Sequence, residues 1–134
     1  MKLSKKIPKI YTKCKKIFGV NWNKGIIITY GNTIYCKYKL PKEKIIHEKT
    51  HIKQQTKYGV KKWWSKYFKD TKFRLNQELE AYRNEWEFIQ NNIIGIQKKR
   101  LMLKRIAIDL SSDIYGNIID YKTALNLVQK QNEG

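Results

Sequence analysis

The sequence predicts an α+β fold in which a small β-hairpin precedes a predominantly helical, zincin-like domain. Two observations support this prediction. A β-branched and aromatic run at 26–30 and an alternating apolar and polar run at 33–39 flank the Gly31-Asn32 pair, as in a hairpin. From Pro41 onwards the apolar residues recur at helical spacing instead.

Prolines, glycines and capping residues in the sequence predict where the helices begin and end. A short helix at 9–18 is expected after Pro8. Pro41 suits the start of a helix because its missing N–H would have no partner there, and Gly59 marks the end of that helix. The predicted helices after the hairpin are 42–58, 60–70, 75–93, 97–111 and 121–131, the last with Asp120 as its N-cap.

The size of the chain fits one domain over residues 1–134, because 134 residues and 16.1 kDa allow a single hydrophobic core. The apolar runs are far shorter than the roughly 20 residues of a membrane-spanning helix. The basic N-terminus also lacks the apolar core of a secretory signal. These features predict a cytoplasmic protein without a transmembrane segment.

The formal net charge of +18 has two interpretations. It comes almost entirely from 25 lysines against 4 arginines, and the chain is also rich in Ile and Asn, whose codons are A/T-rich. Codon bias with a solvated lysine surface would explain this composition. A functional, non-specific contact with a polyanion is the alternative. Arginine, the usual bidentate binder of phosphate, is scarce.

A possible metal site lies at residues 47–51, which read His-Glu-Lys-Thr-His and contain both histidines of the chain. On a helix, His47 and His51 lie one turn apart on the same face, so both imidazoles can bind one metal ion. Glu48 points about 100° away, towards a metal-bound water rather than the metal. Zinc lowers the pKa of such a water towards 7, and Glu48 would accept its proton.

The third zinc ligand is expected among the downstream carboxylates, because neither cysteine follows the motif. On the predicted helix 75–93, Glu78 lies about 60° from the centre of the apolar stripe, whereas Glu80 lies about 140° away. Glu78 is therefore the predicted ligand, with Glu80 and Glu85 as alternatives. The stripe itself consists of Leu75, Leu79, Tyr82, Trp86, Ile89 and Ile93.

Gln54 lies within about 60° of both histidines on a helical wheel. It is a candidate for a hydrogen bond that orients a ligand, although a surface glutamine would show the same spacing. The aromatic run of the next predicted helix, Trp63, Trp64, Tyr67 and Phe68, is expected to be core on one side and to cover the metal site.

The pattern HExxHxxQ at 47–54, followed by Glu-Leu-Glu-Ala-Tyr at 78–82, resembles the minimal gluzincins. These are compact zinc metallopeptidase-like domains, some of them carried by bacteriophages, and the resemblance covers residues 33–90. It implies a peptide or protein substrate, a cleft bordered by the hairpin, and a zinc ligand from the second motif. In larger relatives the position of Tyr82 is occupied by an Asp that supports a zinc-binding His, which makes Tyr82 a candidate for contact with a zinc ligand. The resemblance also implies a phage-infected cell or a virion as the setting.

Two functional classes therefore remain open from the sequence. The first is a zinc-dependent peptidase in which Glu48 activates the water. The second is a metal-binding structural or interaction protein with little or no turnover, whose basic surface contacts a polyanion.

Overall fold

The fold is α+β, as predicted, and a computed structural model describes residues 1–132 of it. The strands of this part of the chain are β1 (Lys2–Ser4), β2 (Ile28–Tyr30) and β3 (Thr33–Tyr35). Its helices are α1 (Tyr11–Phe18), α2 (Lys42–Tyr58), α3 (Val60–Lys69), α4 (Thr71–Asn92), α5 (Ile96–Leu110) and α6 (Tyr121–Val128). Short 3₁₀ helices lie at Trp22–Lys24 and Asp113–Tyr115.

The sheet has the strand order β1-β3-β2. Strands β2 and β3 form the predicted antiparallel hairpin, and Gly31 at the turn has a φ of 61°, which favours glycine. Strand β1 was not predicted. It pairs in parallel with β3, so that Lys2 lies opposite Thr33. Strand β3 also ends at Tyr35, earlier than residue 39, and Tyr38 is 53% exposed.

The helices begin and end close to their predicted bounds. The main difference is at α4, which begins at Thr71 rather than near 75. The side chain of Asp70 caps it by accepting a hydrogen bond from the N–H of Phe73 at 3.0 Å. Asp120 caps α6 in the predicted way, although α6 ends at Val128 instead of 131.

The apolar residues form two clusters. The N-terminal core joins α1, β2 and α3 with the start of α4 and contains Cys14, Val20, Ile28, Trp63, Trp64, Tyr67 and Phe73. The C-terminal core joins α4, α5 and α6 and contains Leu79, Tyr82, Ile89, Leu103, Ile106, Ala107, Leu110, Ala124 and Val128. Helix α2 packs on β2, α3 and α4, and thus contacts elements of both cores.

Across residues 1–132, no helix has the length and apolar character needed to cross a membrane. Both cysteines are free and buried.

Candidate metal centre

The buried face of α2 is entirely polar. Its buried residues are His47, Glu48, Thr50, His51, Gln54 and Gln55. A helix of a small domain normally buries an apolar stripe, because burying polar groups costs free energy unless they are paired. The hydrogen-bond and ion-pair partners of these side chains therefore indicate the role of this face.

Three of the buried side chains converge on one point. His47 Nε2 lies 3.1 Å from Glu78 Oε1, and His51 Nε2 lies 3.2 Å from the same oxygen. The two Nε2 atoms are 3.2 Å apart, which closes a nearly equilateral triangle. Metal–ligand bonds of about 2.0–2.2 Å in a tetrahedron separate the ligand atoms by roughly 3.3–3.5 Å. The triangle thus approximates one face of a tetrahedral metal site.

Hydrogen bonds fix which atoms of these ligands face the triangle. The amide of Gln54 donates to the carbonyl of Gln77 at 3.0 Å and to Glu80 Oε1 at 2.8 Å. Its oxygen is therefore left to accept the Nδ1–H of His51 at 2.8 Å, so the lone pair of His51 is on Nε2. This is the orienting contact predicted for Gln54.

The second carboxylate oxygen of Glu78 is also engaged. The hydroxyl of Tyr67 donates to Glu78 Oε2 at 2.7 Å. Glu78 therefore presents a single oxygen, Oε1, to the two histidines. The ring of Trp63 stacks on that of Tyr67 and lies 5.5 Å from the ring of His51. These two aromatic side chains of α3 therefore cover the site, as predicted.

Glu85 orients the other histidine. Its Oε1 lies 3.1 Å from His47 Nδ1, and its Oε2 lies 2.9 Å from Lys44 Nζ. Burial by itself would raise the pKa of Glu85, but the hydrogen bond with His47 and the nearby Lys44 lower it below its usual value. A carboxylate at Nδ1 fixes the proton there and leaves Nε2 free for a metal.

The ionisable side chains of the cluster change one another's pKa values. Burial alone would lower the pKa of His47, but Glu48 and the hydrogen bonds to Glu78 and Glu85 outweigh it and raise the pKa to about 10. The pKa of His51 is also raised against the effect of burial, mainly by Glu78. Burial would raise the pKa of Glu78, yet the two histidines hold it well below its usual range. The site thus stabilises positive charge at its centre.

Glu48 lies beside the triangle. Its Oε1 accepts a hydrogen bond from Thr29 Oγ1 at 2.9 Å, and its Oε2 is 3.7 Å from His47 Nε2. The contact with Thr29 connects β2 to α2 and holds one carboxylate oxygen, so the other oxygen remains close to the centre.

Tyr82 contacts a ligand through its ring. The ring lies edge-on to that of His47, with centroids 4.3 Å apart, and its hydroxyl is 2.6 Å from that of Tyr115. Tyr82 therefore packs against His47, whereas Glu85 supplies the hydrogen bond to the Nδ1 of this histidine.

A cleft of about 530 Å³ opens at the cluster. The residues that line it before α2 include Val20, Lys24, Ile26, Ile27, Ile28 and Thr29, and those from α4 onwards include Tyr82, Asp109, Asp113, Ile114 and Tyr115. Cys14 also lines it, but burial raises the pKa of this thiol to about 12, so it is no thiolate nucleophile.

The structure brings together the three metal ligands predicted from the sequence, His47, His51 and Glu78, all buried and close enough to hold one ion. Of the two alternative ligands, Glu80 is exposed and binds Gln54, and Glu85 contacts the far side of His47. The sequence analysis did not identify the contacts of three further residues, Thr29, Lys44 and Tyr67. No pattern in the sequence marks these contacts, because each joins separate elements.

Comparisons of the chain with protein-family models, with curated proteins and with solved structures found no match.

Proposed function

We propose that this chain is a zinc-dependent metallopeptidase similar to the minimal gluzincins. One observation carries the proposal: the buried triangle of His47, His51 and Glu78 lies at the side of an open cleft, with Glu48 next to it. Two imidazole nitrogens and one carboxylate oxygen are the ligand set of catalytic zinc in several peptidases.

The donor set fits zinc better than the hard cations. Imidazole nitrogens suit zinc and other transition metals, whereas Mg²⁺ and Ca²⁺ prefer oxygen ligands alone. When bound, zinc supplies a Lewis acid and lowers the pKa of a coordinated water towards 7.

Glu48 is the proposed general base and acid. It would take a proton from the attacking water as the water oxygen bonds to the carbonyl carbon of the peptide. It would then deliver this proton to the leaving nitrogen as the C–N bond breaks. Thr29 holds Oε1 of Glu48 at 2.9 Å, so the proton transfers fall to Oε2.

The openness of the site favours a catalytic role for the metal over a structural one. Structural zinc sites use four protein ligands and are closed, while catalytic sites keep one position for water or substrate. Within residues 1–132 the cluster comprises three side chains, and all three line the cleft. This arrangement supports the peptidase rather than the metal-binding structural protein.

The test compares zinc-loaded wild type with Glu48→Gln on a panel of unfolded proteins, with new N-termini as the readout. Glu48→Gln should keep its zinc and lose at least about 100-fold in rate, because it loses a proton acceptor and not a ligand. Glu87→Gln, an exposed change on α4, is the matched control and should remain active. A zinc-loaded wild type that cleaves nothing in the panel would overturn the proposal, and so would an active Glu48→Gln.

A further inference from the structure

The charge of the chain is divided very unevenly between its two halves. Residues 1–69 contain 19 of the 25 lysines and only two acidic residues, Glu43 and Glu48, of which Glu48 is buried. Residues 70–134 contain six lysines, all four arginines and nine acidic residues, and are almost neutral. Nearly the whole net charge of +18 therefore belongs to the sheet and helices α1 to α3.

Codon bias does not account for this division. A bias towards A/T-rich codons would enrich isoleucine and lysine together along the whole gene. Isoleucine is evenly distributed, with 10 residues in 1–69 and 9 in 70–134, whereas lysine is divided 19 to 6. The concentration of lysine in the first half thus needs a physical explanation.

Most of the residues that line the cleft belong to the basic half, residues 1–69. Lys24 lines the cleft and is exposed. Lys15 and Lys16 do not line the cleft themselves, but they are exposed on α1, whose Cys14 and Phe18 do line it. All the lysines of residues 1–69 except Lys44, which also lines the cleft, are exposed, so the electrostatic field of this half attracts anionic groups.

Carboxylates of the second half of the chain also line the cleft. Asp109 and Asp113 are among the lining residues, as are Glu48 and Glu78, whose negative charges a bound zinc ion would offset. The cleft therefore combines an exposed lysine with two aspartates away from the predicted zinc ligands. A cleft with charged walls concentrates ligands of complementary charge and orients them.

We propose that the cleft recognises polypeptide segments whose flanking residues are acidic, an inference that rests on the proposed peptidase function. The acidic flanks would lie along the lysines of α1 and of the Trp22–Lys24 segment. The apolar centre of the segment would lie beside Val20, Ile26 and Ile28, which line the cleft.

Two features favour an acidic polypeptide over a nucleic acid. The basic half contains no arginine, the residue that binds phosphate in a bidentate manner. Asp109 and Asp113, which line the cleft, also repel a continuous phosphodiester backbone. Separate carboxylate side chains can contact the lysines without approaching these two aspartates.

The experiment measures binding separately from cleavage, on the zinc-loaded Glu48→Gln protein. Fluorescent peptides share one apolar centre and differ only in their flanks, which are Glu, Gln or Lys. By fluorescence anisotropy at low salt, the Glu-flanked peptide should bind at least about tenfold more tightly than the Gln-flanked one. This advantage should shrink near 0.15 M salt, where the screening length is about 8 Å.

A matched pair of triple variants locates the effect. Replacing Lys15, Lys16 and Lys24 by Glu should remove the preference for acidic flanks. The control replaces three exposed lysines of the other half, Lys98, Lys104 and Lys122, by Glu. It should keep the preference for acidic flanks, although its net charge changes by the same amount.

Several outcomes would overturn the inference: equal affinity for the three peptides, no binding of the acidic peptide at low salt, or an equal loss in both triple variants. Duplex DNA that outcompetes the acidic peptide at physiological salt would reassign the surface to nucleic acid. The proposed function fails in a different way. If wild type prefers acidic peptides but never cleaves them, the recognition stands and the peptidase does not.

Discussion

Replacing Glu85 by glutamine should weaken zinc binding by about 10- to 100-fold, although Glu85 is not among the three converging ligands. Its side chain is almost completely buried. It accepts the Nδ1–H of His47 at 3.1 Å and pairs with Lys44 at 2.9 Å. Glutamine keeps the shape and one acceptor oxygen but removes the negative charge.

The magnitude follows from these two contacts. A hydrogen bond to a charged group contributes about 1.5–3 kcal/mol, and the amide retains part of this. A tenfold loss of affinity corresponds to about 1.4 kcal/mol and a hundredfold loss to about 2.7 kcal/mol. Lys44 is partly exposed, with a side-chain exposure of 27%, so water can solvate its charge after the substitution.

The assay is competition for zinc against a chromophoric chelator, with thermal melting of the metal-free proteins to detect any general loss of structure. Glu87→Gln serves as the control, because it makes the same chemical change two residues away on the exposed side of α4. If Glu85→Gln binds zinc as tightly as wild type, the hydrogen bond to His47 does not orient the ligand, and this part of the reasoning is wrong.

Three further predictions concern the same centre. Glu78→Ala should abolish tight zinc binding, whereas Glu80→Ala should change it little because that carboxylate is exposed and the Gln54 amide would keep its hydrogen bond to the Gln77 carbonyl; the reverse order by chelator competition would refute the assignment. Thr29→Val should keep zinc bound but lower the rate of cleavage, since it frees Glu48 to rotate; an unchanged rate would show that this contact has no role in the reaction. The metal-free protein should lose stability between about pH 6.5 and 10, because the pKa of His47 rises on folding from 6.5 to about 10 and the stabilising proton is lost over that range. Urea unfolding with a chelator present tests this, and stability that increases with pH would contradict it.

The helical part of the site could be predicted from the sequence because it depends on local periodicity. The spacing of His47 and His51 places them on one face of any helix. The apolar stripe of α4 fixed the orientation of Glu78 and Glu80 before the partner helix was known. Such inferences need only the geometry of one helix.

The contacts between elements could not be predicted in this way. Strand β1 has three residues, and its parallel pairing with β3 brings together positions about 30 residues apart, such as Lys2 and Thr33. The hydrogen bond from Thr29 to Glu48 depends on how β2 packs against α2. No periodic pattern records such packing.

The role of Glu85 could be predicted from the sequence only in part. It lies seven residues after Glu78, which is two helical turns and about 10 Å along the same face of α4. The imidazole of His47 fits between the two carboxylates, with each ring nitrogen 3.1 Å from one of them. The spacing places both on one face, but only the position of α2 shows which one faces the metal.

The most direct test of the metal centre is a crystal structure of the zinc-loaded protein with diffraction data collected above and below the zinc absorption edge. We expect one anomalous peak at about 2.0–2.2 Å from Nε2 of His47, Nε2 of His51 and Oε1 of Glu78. We expect Glu85 on Nδ1 of His47 and Glu48 outside the coordination sphere. A peak elsewhere, or zinc-loaded crystals whose histidines bind no metal, would contradict the account.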